Sequence, residues 1–324
     1  MRDEMIVVFG GSGFIGRHAV RALARAGKRV RVAMRRPHLG HDLRVMGDVG
    51  QIQLVQANVR DAASVARALE GASGAVNLVG LLFEKGRQTF ADVQAAGAAT
   101  IAQACAGAGV ERLVHVSAIG ADAASRSAYG RTKAAAESAM RAAVPGAVIL
   151  RPSIVFGPED DFFNRFAQMA RMSPALPLIG GGRTLFQPIY VGDVADAVVA
   201  GLDRADARGR TFELGGPQTY SFKELLSYIT TEIDRPRALV GLPFPVAQTM
   251  GRVADFVFRF NPFAGPPLTG DQVEMLKSDN VVAPGALTLA DLGVGPLETV
   301  EAITPAYLYR FRPYGQFQTR QKPA

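Results

Sequence analysis

Seven residues near the start of the chain have the composition and spacing of an anion cradle. Gly10-Gly11-Ser12-Gly13-Phe14-Ile15-Gly16 carries glycines at its first, fourth and seventh places. An unbroken apolar run, Met5-Ile6-Val7-Val8-Phe9, leads into it, and a helical pattern from Phe14 to Ala26 leads out. At position 10 glycine permits a tight turn; at 13 it lets the backbone approach a pyrophosphate with no Cβ in the way. At 16 it lets the helix pack closely on the sheet. Free N–H groups at the helix start and the positive end of its dipole would then hold the phosphates. The bland alternative is a glycine-rich turn with no ligand, but strand, loop and helix in one register favour a dinucleotide. Ser12, Phe14 and Ile15 join the glycines as expected contacts.

The second strand decides which dinucleotide is expected. NAD sites place an acidic residue about twenty positions beyond the glycine loop, where it binds the ribose 2′-hydroxyl. Here that strand ends Val32-Ala33-Met34-Arg35-Arg36, with no carboxylate. Two guanidinium groups suit a 2′-phosphate, which they hold through charge-assisted hydrogen bonds. NADP(H) is therefore favoured over NAD, the alternative being that Arg35 and Arg36 only solvate a loop.

These groups must be carried by an alternating framework. Further strands are expected over 30–34, 52–56, 75–79, 112–116 and 147–150, with helices over 62–69, 89–108 and 128–143. Apolar strands alternating with helices predict an α/β fold with a doubly wound parallel sheet, the Rossmann arrangement. After Arg151-Pro152 proline and glycine become denser, with a helical stretch over 192–203 and a strand over 211–214. The expected division is a nucleotide-binding domain over 1–155, to which 186–214 returns. A smaller irregular domain then spans 156–185 and 215–306, and a basic-aromatic tail follows over 307–324.

Tyr129-Gly130-Arg131-Thr132-Lys133 lies on the helix after the fifth strand, one turn placing phenol and ammonium on the same face. With the glycine loop it resembles the short-chain dehydrogenase/reductase superfamily, in its extended and atypical members. The resemblance implies a lysine that contacts the nicotinamide ribose and lowers the tyrosine pKa, so that the phenol exchanges a proton as hydride moves. It also implies cofactor contacts at Asn58 and Val59 after the third strand, and at Val79 and Gly80 after the fourth. Pro152 and Ile154, in the segment Arg151 to Pro158, would pass the nicotinamide. Active members carry a further hydroxyl just past the first serine after the fifth strand. Here Ser117 is followed by Ala118 and Ile119, so Ser117 is a doubtful catalytic group and Tyr129 and Lys133 are expected as a vestigial pair or a cofactor clamp.

The order of several runs extends the resemblance over some 200 residues. Val114 to Asp122, Arg151 to Asp160, Gly180-Gly181-Gly182, Phe186 to Ala195 and Glu213 to Pro217 are arranged as in one atypical branch. That branch is similar to the nucleotide-binding accessory subunit nine of the respiratory complex I alpha subcomplex and its bacterial counterparts. What this implies is NADP(H) as a structural or regulatory cofactor and complex I subunits of the peripheral arm as partners. A free-standing NADPH-dependent reductase or epimerase-like enzyme is the alternative.

Bulk properties narrow the rest. The chain has 324 residues, 48% of them hydrophobic and 20% charged, which is globular composition with room for a large core. A single cysteine, Cys105, excludes a disulfide framework and a cysteine-based zinc site. No metal is expected: His38 and His41 have only Asp42 beside them in a Pro/Gly loop. No run approaches the roughly twenty apolar residues of a membrane span. Met1 to Glu4 leaves no room for a signal or transit peptide, so the expected location is cytoplasmic, or peripheral on the cytoplasmic face of a bacterial inner membrane.

The formal charge is +7, and in the tail Arg310, Arg312, Arg320 and Lys322 interleave with Tyr307, Tyr309, Phe311, Tyr314 and Phe317. With no nucleic-acid module present, a protein or membrane surface is the expected contact, and nucleic acid is not. His115 is expected as a satisfied core histidine. Asp193 is expected to cap the helix after it, and Glu159, Asp160 and Asp161 to favour a helix start. Phe244, Met250, Val253, Phe256, Val257, Phe258 and Phe260 recur near helical spacing and are expected in a core, a partner-binding face being the second choice.

Overall fold

The computed structural model describes residues 4–258 and 268–317. Seven strands form one parallel sheet: β1 (Met5–Phe9), β2 (Arg29–Met34), β3 (Ile52–Gln56), β4 (Gly74–Asn77), β5 (Leu113–Val116), β6 (Val148–Pro152) and β7 (Thr211–Leu214). Their spatial order is β7-β6-β5-β4-β1-β2-β3, and every pairing is parallel. The order follows from where the apolar side chains go. In β1, Ile6 and Val8 join the core on one face while Val7 and Phe9 join the core on the other, so this strand must lie inside the sheet.

Helices cover both faces. On the first lie α1 (Phe14–Arg25) and α6 (Val191–Asp203), which bring Val20, Leu23, Val194 and Val198 to the sheet. On the second lie α2 (Ala62–Leu69), α3 (Gly97–Gly107) and α4 (Ala128–Ala143), with Val65, Ile101 and Met140. The helix expected over 89–108 is two elements, a π-helical stretch Phe90–Ala96 and then α3. Gly97 stands at the junction because a Cβ there would come 2.8 Å from Val59 Cγ2.

A third core belongs to the smaller domain. It gathers α5 (Phe162–Met172), α7 (Phe222–Glu232) and a parallel ribbon of residues 175–179 with 238–242. Phe162, Phe166 and Phe222 pack with ring centroids 5.0 and 5.5 Å apart in edge-to-face geometry. Asp160 ties the start of α5 to the chain near its end. Its carboxylate is buried and accepts from the backbone N–H groups of Gly157, Phe163 and Asn164 and from the Tyr307 hydroxyl at 2.6 Å.

Four expectations change. Asp193 does not cap α6: Tyr190 holds the cap position, and the Asp193 carboxylate accepts from the Glu298 N–H at 3.1 Å. Burial pushes the Asp193 carboxyl up to about 6. His115 is buried but only half satisfied, since Nδ1 meets Asn77 and Nε2 has no partner. Helix α8 (Phe244–Phe258) is core only near its start: Phe244 packs on the third core and Ala247 and Gly251 are buried, whereas Val246, Met250, Val253, Phe256 and Val257 are exposed. Phe260, Arg320 and Lys322 lie outside the described residues. The first part of the basic-aromatic stretch is inside the fold: Tyr307, Leu308 and Phe311 are buried, and Arg312 pairs with Glu232 at 2.5 Å.

The Tyr307–Asp160 bond carries a measurable consequence. A hydrogen bond to an ionised partner contributes about 1.5–3 kcal/mol, so Tyr307→Phe should lower the unfolding free energy by roughly that amount in urea titration. A change below about 0.5 kcal/mol, the range of ordinary surface substitutions, would show that the tail is not anchored there.

Candidate functional site

In an open parallel sheet, neighbouring strands whose connections leave in opposite directions open a crevice at their carboxyl ends. Here those strands are β1 and β4, and the loops that follow them line the crevice. The glycine loop runs from β1 to α1. Gly10 has φ +80°, and a Cβ on it would lie 2.9 Å from the Leu78 carbonyl carbon in the loop after β4. Gly16 is tighter still, its Cβ position 2.2 Å from the Gly10 oxygen. Gly13 caps α1 without a side-chain hydrogen bond, so the first-turn N–H groups, at Phe14 and Ile15 among others, lack a side-chain acceptor. Ser12 is half-buried and Gly13 exposed at the mouth of the loop. The turn is a concave backbone surface of the kind that could hold a pyrophosphate, and no larger residue fits at 10 or 16.

Arg35 and Arg36 are both exposed past the end of β2. Arg35 Nη1 donates to Gln88 Oε1 at 3.0 Å, and Arg60 Nη1 donates to the Arg87 carbonyl at 2.9 Å. The turn over residues 85–88 thus lies against the segments that follow β2 and β3, with Arg35 and Arg60 both bonded to it. Asn58 is turned inward on its own chain: its N–H donates to Ser64 Oγ, and its Oδ1 accepts from the Arg60 N–H. Val59 packs on Gly97. These two residues shape the rim, and Asn58 Oδ1 is already engaged.

The loop after β4 is held by side chains that carry no recognisable motif. Asn77 Oδ1 accepts from the Val79 N–H at 3.0 Å, while its amide meets His115 Nδ1 at 3.1 Å. Burial, with the Lys133 charge nearby, pushes His115 down to about 3, so it is neutral and accepts from Asn77. Gln94 Oε1 accepts from the Leu81 N–H, and its amide donates to Thr132 Oγ1 on α4. Gly80 is thereby brought to Lys133, whose Nζ would lie 3.5 Å from a Cβ at 80.

Lys133 is buried; its Nζ donates to the Val116 carbonyl at 3.2 Å and lies 5.6 Å from the Tyr129 ring centroid. Tyr129 also meets Phe90 edge to face at 5.8 Å. Burial drives the pair apart in pKa, Lys133 down to about 8 and Tyr129 up to about 12, the Asp271 carboxylate adding to the latter. Ser117 Oγ is buried with no protein partner, immediately after the carbonyl that holds Lys133. Pro152 accepts from the Ile119 N–H at 3.0 Å, and half-buried Ile154 accepts from the Ile189 N–H.

Sequence reasoning therefore names Gly80, Ser117, Tyr129 and Lys133, which the fold gathers at one end of β4 and β5. It misses Gln94, His115 as a partner of Asn77, and Asp271. Each of these acts through a contact distant in sequence, for which no local pattern exists. The orphaned Ser117 hydroxyl and the close-packed glycine turn are compatible with a nicotinamide dinucleotide. Such a group supplies hydride-transfer chemistry when bound. Among the described residues no group of histidine, cysteine and carboxylate side chains is arranged to hold a metal.

The profile of the NAD dependent epimerase/dehydratase family matches residues 6–215, from β1 to the end of β7. The chain belongs to that family. Its similarity to subunit 9 of the NADH dehydrogenase [ubiquinone] 1 alpha subcomplex continues further. The mitochondrial protein of Arabidopsis thaliana is 38% identical over 295 residues, covering 89% of this chain and 73% of the relative. That of Mus musculus is 37% identical over 311 residues, covering 94% and 81%. Among solved structures, a UDP-glucose 4-epimerase from Thermotoga maritima superposes with a TM-score of 0.69 at 17% identity, over 95% of this chain and 98% of that one. That likeness concerns the fold alone.

Lys133 gives this site a pH signature in the nucleotide-free protein. Its folded value, about 8, lies below the ordinary lysine value of 10.5. Between the two the unfolded chain binds the extra proton, so stability rises with pH through that window and is flat below it with respect to this group. Lys133→Met should remove that rise, a difference of up to about 3 kcal/mol by linkage, read from urea midpoints at pH 7 and pH 10. Identical pH slopes in both proteins would mean that the ammonium is not desolvated.

Proposed function

We propose that the chain is an NADP(H)-holding accessory or assembly subunit of a respiratory NADH:quinone oxidoreductase, in which the nucleotide is structural or regulatory. The observation that carries this is the extent of the similarity. The family profile ends at residue 215, whereas identity with complex I subunits continues over 89–94% of the chain and so takes in the smaller domain. An aligned length that runs past the nucleotide fold supports a shared partner rather than a shared cofactor alone.

The chemistry of the site agrees. Gly10, Ser12, Gly13, Phe14, Ile15 and Gly16 would hold the pyrophosphate, and Arg35 and Arg36 the 2′-phosphate, with Arg60 beside them. Asn58, Val59, Val79, Gly80, Pro152 and Ile154 would line the nucleotide's length. Tyr129 and Lys133 would clamp the nicotinamide ribose, and Ser117 Oγ would gain the partner it lacks. Ala118 and Ile119 offer no second hydroxyl for a substrate oxygen. A reductase is the second reading, favoured by that same unsatisfied Ser117 beside an intact Tyr129–Lys133 pair.

Partners in the peripheral arm would meet the smaller domain, where Val246, Met250, Val253 and Val257 form an exposed stripe along α8. The same stripe would serve a membrane surface, with the protein cytoplasmic or peripheral on the cytoplasmic face. Among the described residues no helix is long and apolar enough to cross a membrane.

Three measurements test this. Affinity capture from membranes solubilised in mild detergent should recover complex I subunits, and Met250→Glu with Val253→Glu should abolish the recovery; capture without those subunits removes the assignment. Arg35→Asp should weaken NADPH about ten- to hundredfold, the worth of charge-assisted bonds, and leave NADH within about twofold. Equal losses for both nucleotides would show that Arg35 does not read the 2′-phosphate. Steady carbonyl reduction abolished by Tyr129→Phe would favour the reductase.

A further inference from the structure

The N-terminus of α4 carries Tyr129 in its first turn, and a helix start leaves its first N–H groups without intrahelical partners. Here every one of them is satisfied. Ser127 Oγ accepts from the Gly130 N–H at 3.2 Å, and the Ser127 carbonyl accepts from the Arg131 N–H at 3.2 Å. The remaining two go to a residue over 140 positions away. Asp271 Oδ1 accepts from the Ala128 N–H at 2.7 Å, and Oδ2 accepts from the Tyr129 N–H at 3.2 Å. The same Oδ2 accepts from the Ser127 hydroxyl at 2.7 Å. A carboxylate at the positive end of the helix dipole is held by charge as well as by these bonds.

Asp271 lies on α9 (Gly270–Met275), and α9 is set by α8. Gln248 Nε2 donates to the Gly270 carbonyl at 3.0 Å, and Asp255 Oδ2 accepts from the Gly270 N–H at 2.9 Å. Gly251 makes the contact close, since a Cβ there would lie 2.7 Å from the Gly270 nitrogen. The helix with the exposed apolar stripe is thus joined to the Tyr129 backbone through two residues, Gly270 and Asp271.

We propose that Asp271 is the positioning residue for Tyr129, fixing the phenol beside Lys133 and the nucleotide from the α8–α9 corner of the smaller domain. This rests on the nucleotide-holding role of Tyr129 proposed above. Nothing in the local sequence of α4 supplies these bonds. The placement of a group in the nucleotide crevice therefore depends on a unit outside the nucleotide-binding fold. A partner bound on α8 and a nucleotide bound beside Tyr129 would share one element, and by linkage each would alter the other's affinity by the same factor.

The test uses the full chain and two readouts. Amide hydrogen exchange compares the unmutated protein with Asp271→Asn, which keeps the shape and removes the charge. Exchange at residues 128–131 should rise at least about tenfold, with the sheet strands and the second half of α4 unchanged. Unchanged exchange at 128–131 overturns the proposal; so does a rise spread over the whole domain, which marks general destabilisation.

NADPH fluorescence titration of Asp271→Asn, Tyr129→Phe and the double variant forms the second arm. Asp271→Asn should weaken NADPH about fivefold alone and less than about 1.5-fold in the Tyr129→Phe background, because a residue acting through the phenol has nothing left to act on. Additive losses assign Asp271 a merely structural role and overturn the inference while leaving the cofactor assignment intact. A flat titration of the unmutated protein instead removes the nucleotide-holding role, and the positioning role with it. Asp271→Glu, which keeps the charge, should recover most of the affinity.

Discussion

The carbonyl oxygen of Gly10 occupies the space that any side chain at residue 16 would need. With a Cβ position 2.2 Å from that oxygen, α1 can start where it does only if residue 16 is glycine. The start of α1 fixes the turn out of β1, and the turn at Gly10 in its left-handed conformation brings the backbone to within contact of Leu78 after β4. The crevice between β1 and β4 is therefore set by two main-chain contacts and not by side-chain choice. Everything that lines it, from Val79 to Lys133, is placed relative to those contacts.

From this constraint two kinds of support diverge. On the glycine side the backbone does the work, and the groups left open are N–H donors at the start of α1. On the far side, from β4 to α4, polar side chains act as struts. Asn77 joins the β4 loop to His115 on β5, Gln94 joins it to Thr132 on α4, and Val116 holds Lys133. Each buried strut must be hydrogen-bonded or it costs stability. Among the described residues three buried side-chain atoms lack a protein partner, and two of them, His115 Nε2 and Ser117 Oγ, are carried by the segment from β5 into the crevice; the third is Gln248 Oε1 on α8.

The sheet was legible in the sequence because burial on both faces makes its inner strands continuous apolar runs, as in Met5 to Phe9 and Ala147 to Leu150. The glycine loop was legible because its requirements are local. The struts were not, since Asn77 and His115 are 38 residues apart, and Asp271 and Tyr129 142 residues apart. Neither pair leaves a periodic trace. α8 fails for another reason: apolar spacing identifies a helix face but not what covers it, and the face along Met250 and Val253 is open in this chain. Asp193 looked like a cap because it is acidic near a helix start. Its actual bond goes to Glu298, 105 residues away, and the helix begins at Val191, one residue before the expected stretch over 192–203.

The electrostatics of Tyr129 bear on what the site is built to do. A phenol that exchanges protons in turnover needs its ionised form favoured near neutral pH. Here burial pushes the phenol up to about 12 and the Asp271 carboxylate pushes it in the same direction. Lys133, the group that would oppose this, is itself held down to about 8 by burial. Its ammonium is bonded to the Val116 carbonyl. The carboxylate that satisfies the α4 N–H groups thus places a negative charge beside the residue that base catalysis would have to ionise. Tight placement of Tyr129 and easy ionisation of Tyr129 are in conflict at this site, and the hydrogen bonds favour placement. In the nucleotide-holding role proposed for Tyr129, that resolution carries no cost, because a neutral phenol donates its hydroxyl and no proton needs to leave.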